Sequence, residues 1–100
     1  MLTLEDFSAH IQTNFKVYYG DGGDYFTIEL LEVKPLPQHD ESENARAPFS
    51  LLFCSDDPNH YLPQGTHHLS HEQMGELHLF LVPLGHNSER TGIHYEAVFT

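Results

Sequence analysis

The stretch GTHHLSHEQMGELHLFLVPLG, residues 65–85, decides the fold because its leucines alternate with polar residues along two neighbouring segments. Alternation with a period of two is typical of a half-buried β-strand. Pairing Leu69 with Leu77 places the leucines of both segments on one face and leaves residues 72–74 as a three-residue turn before Gly75. The stretch therefore predicts a β-hairpin.

The same stretch contains four histidines, which raises the question of a metal site. His67 and His71 have the i, i+4 spacing that lets one helical face bind zinc. In a strand they would lie about 13 Å apart, too far to share one ion. The hairpin register instead places His68 opposite His78, so this pair is the better candidate.

A carboxylate from the last strand would complete a metal site on the outer face of the sheet. Aligning the alternating apolar residues of 95–99 with the core places Glu96 opposite Phe80 and diagonal to His78. Two imidazoles and a carboxylate can bind zinc, so His68, His78 and Glu96 are the candidate ligands. The other interpretation is three polar residues on a solvated face, and on that basis we expect no bound metal and no cofactor.

Hydrophobic periodicity divides the remaining chain into one helix and further strands. Leu4, Phe7 and Ile11 recur at helical spacing behind a possible N-cap at Thr3, and Asn14 is suited to a left-handed stop. The helix is predicted at about 3–13, and the strands at about 15–19, 25–33, 48–54, 66–71, 76–83 and 93–99.

The connections favour antiparallel pairing. The stretch GDGGD at 20–24 predicts a tight turn, and a bulge is expected near Leu31 or Glu32, where the alternation breaks. The polar and acidic segment 38–47 predicts a mobile loop.

The predicted fold is a single domain, 1–100, of the mainly β (α+β) class. It has an N-terminal helix and then about six antiparallel strands, in a meander-like small barrel or a folded-over sheet.

Phe80, Val82 and Val98 face away from the core leucines, so the sheet is apolar on both sides. Either the apolar side of the N-terminal helix covers this second face, or the face binds a partner protein or a second copy of the chain. The three residues are therefore the candidate partner surface.

The composition argues against several classes of function. Fifteen acidic residues against four basic ones give a net charge of −11, which repels nucleic acid and anionic lipid, so we expect neither as a partner. The single cysteine, Cys54, excludes an internal disulfide framework and suits a reducing compartment. No apolar run approaches the roughly 18 residues that span a bilayer. We expect a cytoplasmic protein.

The sequence contains no recognisable catalytic motif. Cys54 lacks a motif that would place an imidazole and an oxyanion site beside it, and there is no glycine-flanked serine, Walker motif or dinucleotide fingerprint. We therefore expect no catalytic residues and a protein that is not an enzyme.

Five segments, in this order, carry a resemblance to a known family: LTLEDFSAHI, PFSLLF, LPQGTHHLSH, GELHLFLVPLG and YEAVF. Together they resemble a family of short bacterial proteins that is described only as a domain of unknown function, over nearly the whole chain from Leu2 to Phe99. The resemblance implies an accessory role beside phage-tail-collar-like proteins and assigns no catalytic residues. His67 and His68 depart from the aromatic and basic residues that the family implies there, so a histidine site would be particular to this chain.

The sequence thus predicts a small interaction or assembly module that binds an unknown protein partner or itself. The alternative is a small-ligand or metal-binding domain that uses the outer-face histidines.

Overall fold

The computed structural model describes residues 2–19, 23–37 and 47–99. Within these residues the chain forms one short helix and six strands. The elements are α1 (Leu4–Ser8), β1 (Asn14–Tyr18), β2 (Tyr25–Pro35), β3 (Phe49–Ser55), β4 (Gly65–His71), β5 (Gly75–His86) and β6 (Ile93–Phe99). Residues 20–22 of the predicted turn, and all of the predicted loop at 38–47 except its last residue, lie outside the described residues.

The strands close into an antiparallel barrel in the order β1-β2-β3-β6-β5-β4. Each half of the chain is a three-stranded meander, and the halves join where β3 pairs with β6 and β1 pairs with β4. Lys16 opposite Ser70 and Val17 opposite Leu69 close the ring. The predicted mainly β fold of antiparallel strands is confirmed in its barrel form, with β3 beside β6 instead of beside the next strand in sequence.

Alternating apolar residues on all six strands fill the interior of the barrel. Phe15 of β1 meets Phe53 of β3 across this interior, with ring centroids 5.4 Å apart in edge-on geometry. Burial of each such side chain contributes about 1.5–3 kcal/mol relative to exposure. The buried apolar strand residues are Phe15, Val17, Phe26, Ile28, Leu30, Phe49, Leu51, Phe53, Leu69, Leu77, Leu79, Leu81, Ile93, Tyr95 and Ala97.

Two irregularities of the ladder coincide with exposed apolar side chains. The register of β2 shifts between Leu30 and Glu32, which confirms the predicted bulge, and Leu31 is exposed there. The register of β5 shifts between Pro83 and Gly85, and Leu84 is exposed there. In each case the extra residue shares one ladder position with the residue after it, Glu32 or Gly85, and lies on the outer face that the preceding alternation already gives it.

α1 closes one end of the barrel. Its N-terminus is a capping box, in which the Asp6 amide donates to Thr3 Oγ1 (3.4 Å) and the Thr3 amide donates to Asp6 Oδ2 (2.9 Å). Phe7 is fully buried, and its ring centroid lies 5.9 Å from that of Phe49 and 5.4 Å from that of Phe99. The helix therefore closes the barrel with a single aromatic side chain.

The helix is shorter than the predicted span 3–13, and its stop is not at Asn14. Gln12, with φ of 70°, takes the left-handed conformation instead. The Gln12 amide donates to Leu30 O (2.7 Å), and the Leu30 amide donates to Thr13 O (3.1 Å). These residues are thus already bonded to β2, and pairing with the sheet overrides the helical periodicity. Among the described residues, no helix is long enough and apolar enough to span a membrane.

The connection between β3 and β4, residues 56–64, covers the opposite end of the barrel. The two strands lie on opposite sides of the ring, so the chain crosses the mouth of the barrel. Leu62 is buried there, and its amide donates to Tyr95 Oη (3.0 Å). Burial raises the pKa of Tyr95, so the phenol keeps its proton and donates to His60 O (3.5 Å). With both ends covered, the side wall of the barrel is the main surface left for a partner.

Candidate functional site on the outer wall

The β4–β5 hairpin has the register that its leucines predict. Leu69 lies opposite Leu77, and His68 lies opposite His78. Gly75 follows the turn with φ of 78°, a left-handed conformation that glycine adopts without strain. The predicted hairpin and its histidine pair are therefore confirmed.

The rings of His68 and His78 stack on one another instead of converging on a common point. Their centroids are 5.0 Å apart and their planes differ by 13°. Tyr18 of β1 also stacks on His68, with the centroids 4.8 Å apart. An imidazole nitrogen binds a metal through a lone pair in the plane of its ring. Two nearly parallel rings do not direct such lone pairs at one ion, so this arrangement does not fit a shared metal.

Glu96 lies away from the two histidines. It is opposite Val82 and not, as predicted, opposite Phe80. Four residues of β5, or about 13 Å, therefore separate its row from that of His78. The alternation of residues 95–99 determines only the face that each residue takes, and a shift of two residues preserves that face. Among the described residues, no group of three His, Cys, Asp or Glu side chains is placed to hold a metal ion.

The carboxylate beside His68 comes from Glu76 instead. Glu76 Oε1 lies 3.6 Å from His68 Nε2, and Glu76 stands opposite Ser70, two residues before His78. The hairpin register already implied this diagonal contact, but the sequence reasoning overlooked it. Because both side chains are partly exposed, the pair adds little to stability.

His67 and His71 face the inner side of β4 but share no site. His67 Nε2 donates to Pro63 O (2.8 Å) near the covered mouth of the barrel. His71 is buried at the other end of the strand, with 8% of its surface exposed. The strand keeps the two rings apart, as the spacing of four residues predicts for a β conformation.

His71 is held as a neutral ring by three hydrogen bonds. Its Nδ1 accepts from the amides of Gln73 (3.0 Å) and Met74 (3.2 Å). Since Nδ1 accepts, the ring proton lies on Nε2, which donates to Thr13 Oγ1 (2.9 Å). Burial lowers the pKa of His71, and the His10 ring, 4.5 Å away, lowers it further. The sequence signal for this role was the position of His71 on the leucine face, directly before a turn.

Phe80, Val82 and Val98 form an outer patch on the wall of β5 and β6. Phe80 is 50% exposed and Val98 48% exposed, while Val82 is half-buried. The pairing of β5 with β6 reaches as far as Val82 and Glu96, so Phe80 and Val98 lie just beyond it on these two strands. Of the two alternatives for this face, cover by the N-terminal helix is not what the structure shows: Phe7 packs against Phe49 and Phe99 at the end of the barrel and holds the helix there.

A groove of about 590 Å³ lies beside Cys54 on another part of the wall. Cys54 stands between Glu29 and His94 in the ladder, and Asn87 Nδ2 donates to its sulfur (3.7 Å). Burial raises the pKa of the thiol, against the lowering effect of the Asn87 bond, and Glu29 adds to the rise. A thiol with a raised pKa is a weak nucleophile, which disfavours Cys54 as a nucleophile in this groove.

Comparison with curated proteins and with solved structures finds no match to this chain. A family model described as "Domain of unknown function (DUF6916)" matches residues 2–99. The match begins before α1, ends with β6 and so includes every helix and strand of the barrel. By this match the chain belongs to that family of unknown function.

Proposed function

We propose that the protein is a non-enzymatic interaction or assembly module that binds a partner protein through the outer patch. The observation that carries this proposal is the exposure of about half of Phe80 and of Val98, on neighbouring strands β5 and β6 of a wall that no described element covers. Adjacent large apolar side chains on a protein surface mark interaction sites.

The barrel presents the outer patch rigidly. Leu79 and Leu81, the sequence neighbours of Phe80, are buried in the core and hold the strand in place. Little conformational entropy is then lost on binding. Burying the exposed half of Phe80 contributes about 1 kcal/mol, and aromatic side chains at the centre of an interface often dominate its affinity.

Charge favours a basic partner over a second copy. The chain carries a net charge of −11, and Glu76 and Glu96 lie on the same two strands as the patch. Two copies repel one another at neutral pH, whereas a basic protein is attracted. The finer form of the proposal, which the sequence resemblance supports, is a bacterial cytoplasmic accessory of a phage-tail-like assembly that binds neither nucleic acid nor membrane.

The alternative, a small-ligand or metal-binding domain, has less support. The rings of His68 and His78 are stacked and do not converge on an ion. The raised pKa of Cys54 argues against thiolate chemistry in the groove. The interaction module is therefore the function that this geometry favours.

The test replaces Phe80→Thr and Val98→Thr together. Threonine keeps the β propensity of these positions while removing most of their apolar surface. A partner that co-purifies with the wild-type chain from its native cells is itself purified and titrated by calorimetry. We expect the double variant to bind it about tenfold more weakly or worse.

Tyr25→Thr is the matched control, because it removes an aromatic ring of similar exposure, 49%, from β2 on another part of the wall. Its affinity for the partner should equal that of the wild type. Equal affinity of the Phe80→Thr/Val98→Thr variant would contradict the proposal. A doubling of mass in light scattering that this variant abolishes would identify a second copy as the occupant of the patch.

A further inference from the structure

Beside the outer patch, the wall contains a depression of about 240 Å³, which we name the Glu96 depression. The ladder places Glu96 between Val82 of β5 and Leu52 of β3. Val82 belongs to the outer patch, so Glu96, which lines the depression, is the direct cross-strand neighbour of a patch residue. Its lining residues are Glu32, Lys34, Ser50, Leu52, Leu84 and Glu96.

Glu96 has unused hydrogen-bonding capacity. It is half-buried, and both of its cross-strand neighbours, Leu52 and Val82, are apolar. Within residues 2–19, 23–37 and 47–99 it has neither an ion-pair partner nor a hydrogen-bond partner for its carboxylate. The carboxylate still reaches water in the depression, and a cationic donor that replaces this water would form charge-assisted hydrogen bonds with it.

The depression as a whole is negative. Glu32 stands opposite Leu52 and contributes a second carboxylate. Lys34, opposite Ser50, is the one basic residue of the lining, which leaves a net charge of −1. The apolar side chain of Leu84, on the outer face at the β5 bulge, forms part of the wall. A negative centre with apolar walls suits a basic side chain that has an apolar stem.

We infer that the Glu96 depression receives an arginine side chain of the partner that covers the outer patch, an inference that rests on the proposed function. A guanidinium donates two parallel hydrogen bonds to a carboxylate. Its flat face and methylene stem pack against apolar groups such as Leu52 and Leu84. A lysine ammonium supplies charge without this bidentate geometry, so arginine is preferred.

The probe is an acetylated and amidated tripeptide, valine–arginine–phenylalanine, titrated into the ¹⁵N-labelled chain and followed by NMR. The matched probe carries citrulline, a neutral side chain of the same shape, in place of arginine. We expect the arginine peptide to shift the amide signals of Leu52, Leu84 and Glu96 and to bind about tenfold more tightly than the citrulline peptide.

The matched variants are Glu96→Gln and Glu89→Gln, which make the same change of charge inside the depression and in the exposed turn after β5. Glu96→Gln should weaken binding of the arginine peptide about tenfold, and Glu89→Gln should leave it unchanged. Circular dichroism and thermal melting serve as controls that both variants keep the wild-type fold.

Three outcomes would overturn the inference. In the first, the two peptides bind equally at Phe80 and Val98 and Glu96→Gln has no effect, so the patch binds without an arginine. In the second, both variants lose affinity equally, which indicates general charge attraction. In the third, neither peptide binds at millimolar concentration. In each case the proposed function is tested separately, by titrating the purified partner with the Phe80→Thr/Val98→Thr variant.

Discussion

Among single residues, the histidines show how position determines the chemistry of one residue type. His68 and His78 stack on the outer wall, where His78 is exposed and His68 is half-buried, with its Nε2 enclosed and without a hydrogen-bond partner among the described residues. His71, on the same strand as His68, is buried and hydrogen-bonded to Thr13. Alternation with Leu69 predicts the inward side chain of His71. Its hydrogen bonds depend on where the turn and the start of β1 meet, which alternation does not reveal.

We expect His71 to make the stability of the fold depend on pH. Its pKa in the folded chain lies below the ordinary value of 6.5. As the pH falls below that value, the unfolded chain binds a proton that the folded ring does not, and the free energy of unfolding decreases. The stabilising contribution is thus complete above the ordinary pKa and is progressively lost as the pH falls towards the lowered pKa of the folded state.

His71→Asn isolates this effect, because asparagine Oδ1 can accept the same two amide hydrogen bonds without titrating. We expect the variant to lose about 1–3 kcal/mol at pH near 8, where the bond to Thr13 and the ring contacts with Phe15 and His10 are missing. Between about pH 7 and pH 5 its stability should fall less steeply than that of the wild type. Urea unfolding at several pH values measures both the loss at about pH 8 and the slope of stability with pH. His10 and Glu72, the groups whose charges act on His71, are retained in both proteins. Identical slopes would contradict the assignment.

Among the elements, α1 shows the limit of periodicity. Helical spacing of Leu4, Phe7 and Ile11 predicts one apolar stripe, yet only Phe7 is fully buried. Ile11 is 38% exposed and lies in the turn that follows the helix. The bond from Gln12 to Leu30 directs the chain into the sheet before a second helical turn can add to the stripe.

Phe7 and Ile11 should therefore contribute very different amounts to the free energy of unfolding. We expect Phe7→Ala to lower the free energy of unfolding by about 3–5 kcal/mol, because it empties the covered end of the barrel. Ile11→Ala should cost about 0.5 kcal/mol or less, as for a surface position. Guanidinium unfolding of both variants measures the two values, and similar losses would indicate a helix that packs along its whole apolar stripe.

Strand registers differ in how far they follow from sequence. A three-residue turn connects β4 to β5, so the position of the leucines leaves one pairing that buries them all. The connection from β5 to β6 is longer and β5 carries a bulge at Leu84, so a shift of two residues keeps every side chain on its face. For this reason the partner of His78 was predicted correctly, while the partner of Glu96 was not.

At the scale of the whole molecule, the covered ends of the barrel leave the side wall open, and the net charge sets which kind of partner this wall attracts. α1 and the connection 56–64 occupy the two ends of the barrel, so in the described part of the chain the open surface is mainly the side wall. That wall belongs to a chain of net charge −11, and its large exposed apolar groups include Phe80, Val98 and Leu84. Attraction of a basic partner and repulsion between copies both follow from this combination.

Acidification should remove the repulsion between copies. Protonation of the eight histidines other than His71, whose pKa is lowered, would change the net charge from −11 to −3, since −11 + 8 = −3. We expect light scattering to rise as the pH falls from about 7.5 to about 5.5, because weakly charged proteins associate. Further acidification, which protonates the carboxylates, should lower scattering again as the net charge becomes positive. Unchanged scattering across the first interval would contradict this account.

The sequence by itself determined the strands, the face of each residue and the β4–β5 register, because these depend on alternation and on turns a few residues long. Only the tertiary structure decided the pairings of β3 with β6 and β1 with β4, the place of α1, and the partner of Glu96. Each of these joins segments far apart in the chain, and several arrangements bury the same apolar residues. Packing of the whole barrel selects one of them and leaves Phe80 and Val98 uncovered beside the Glu96 depression.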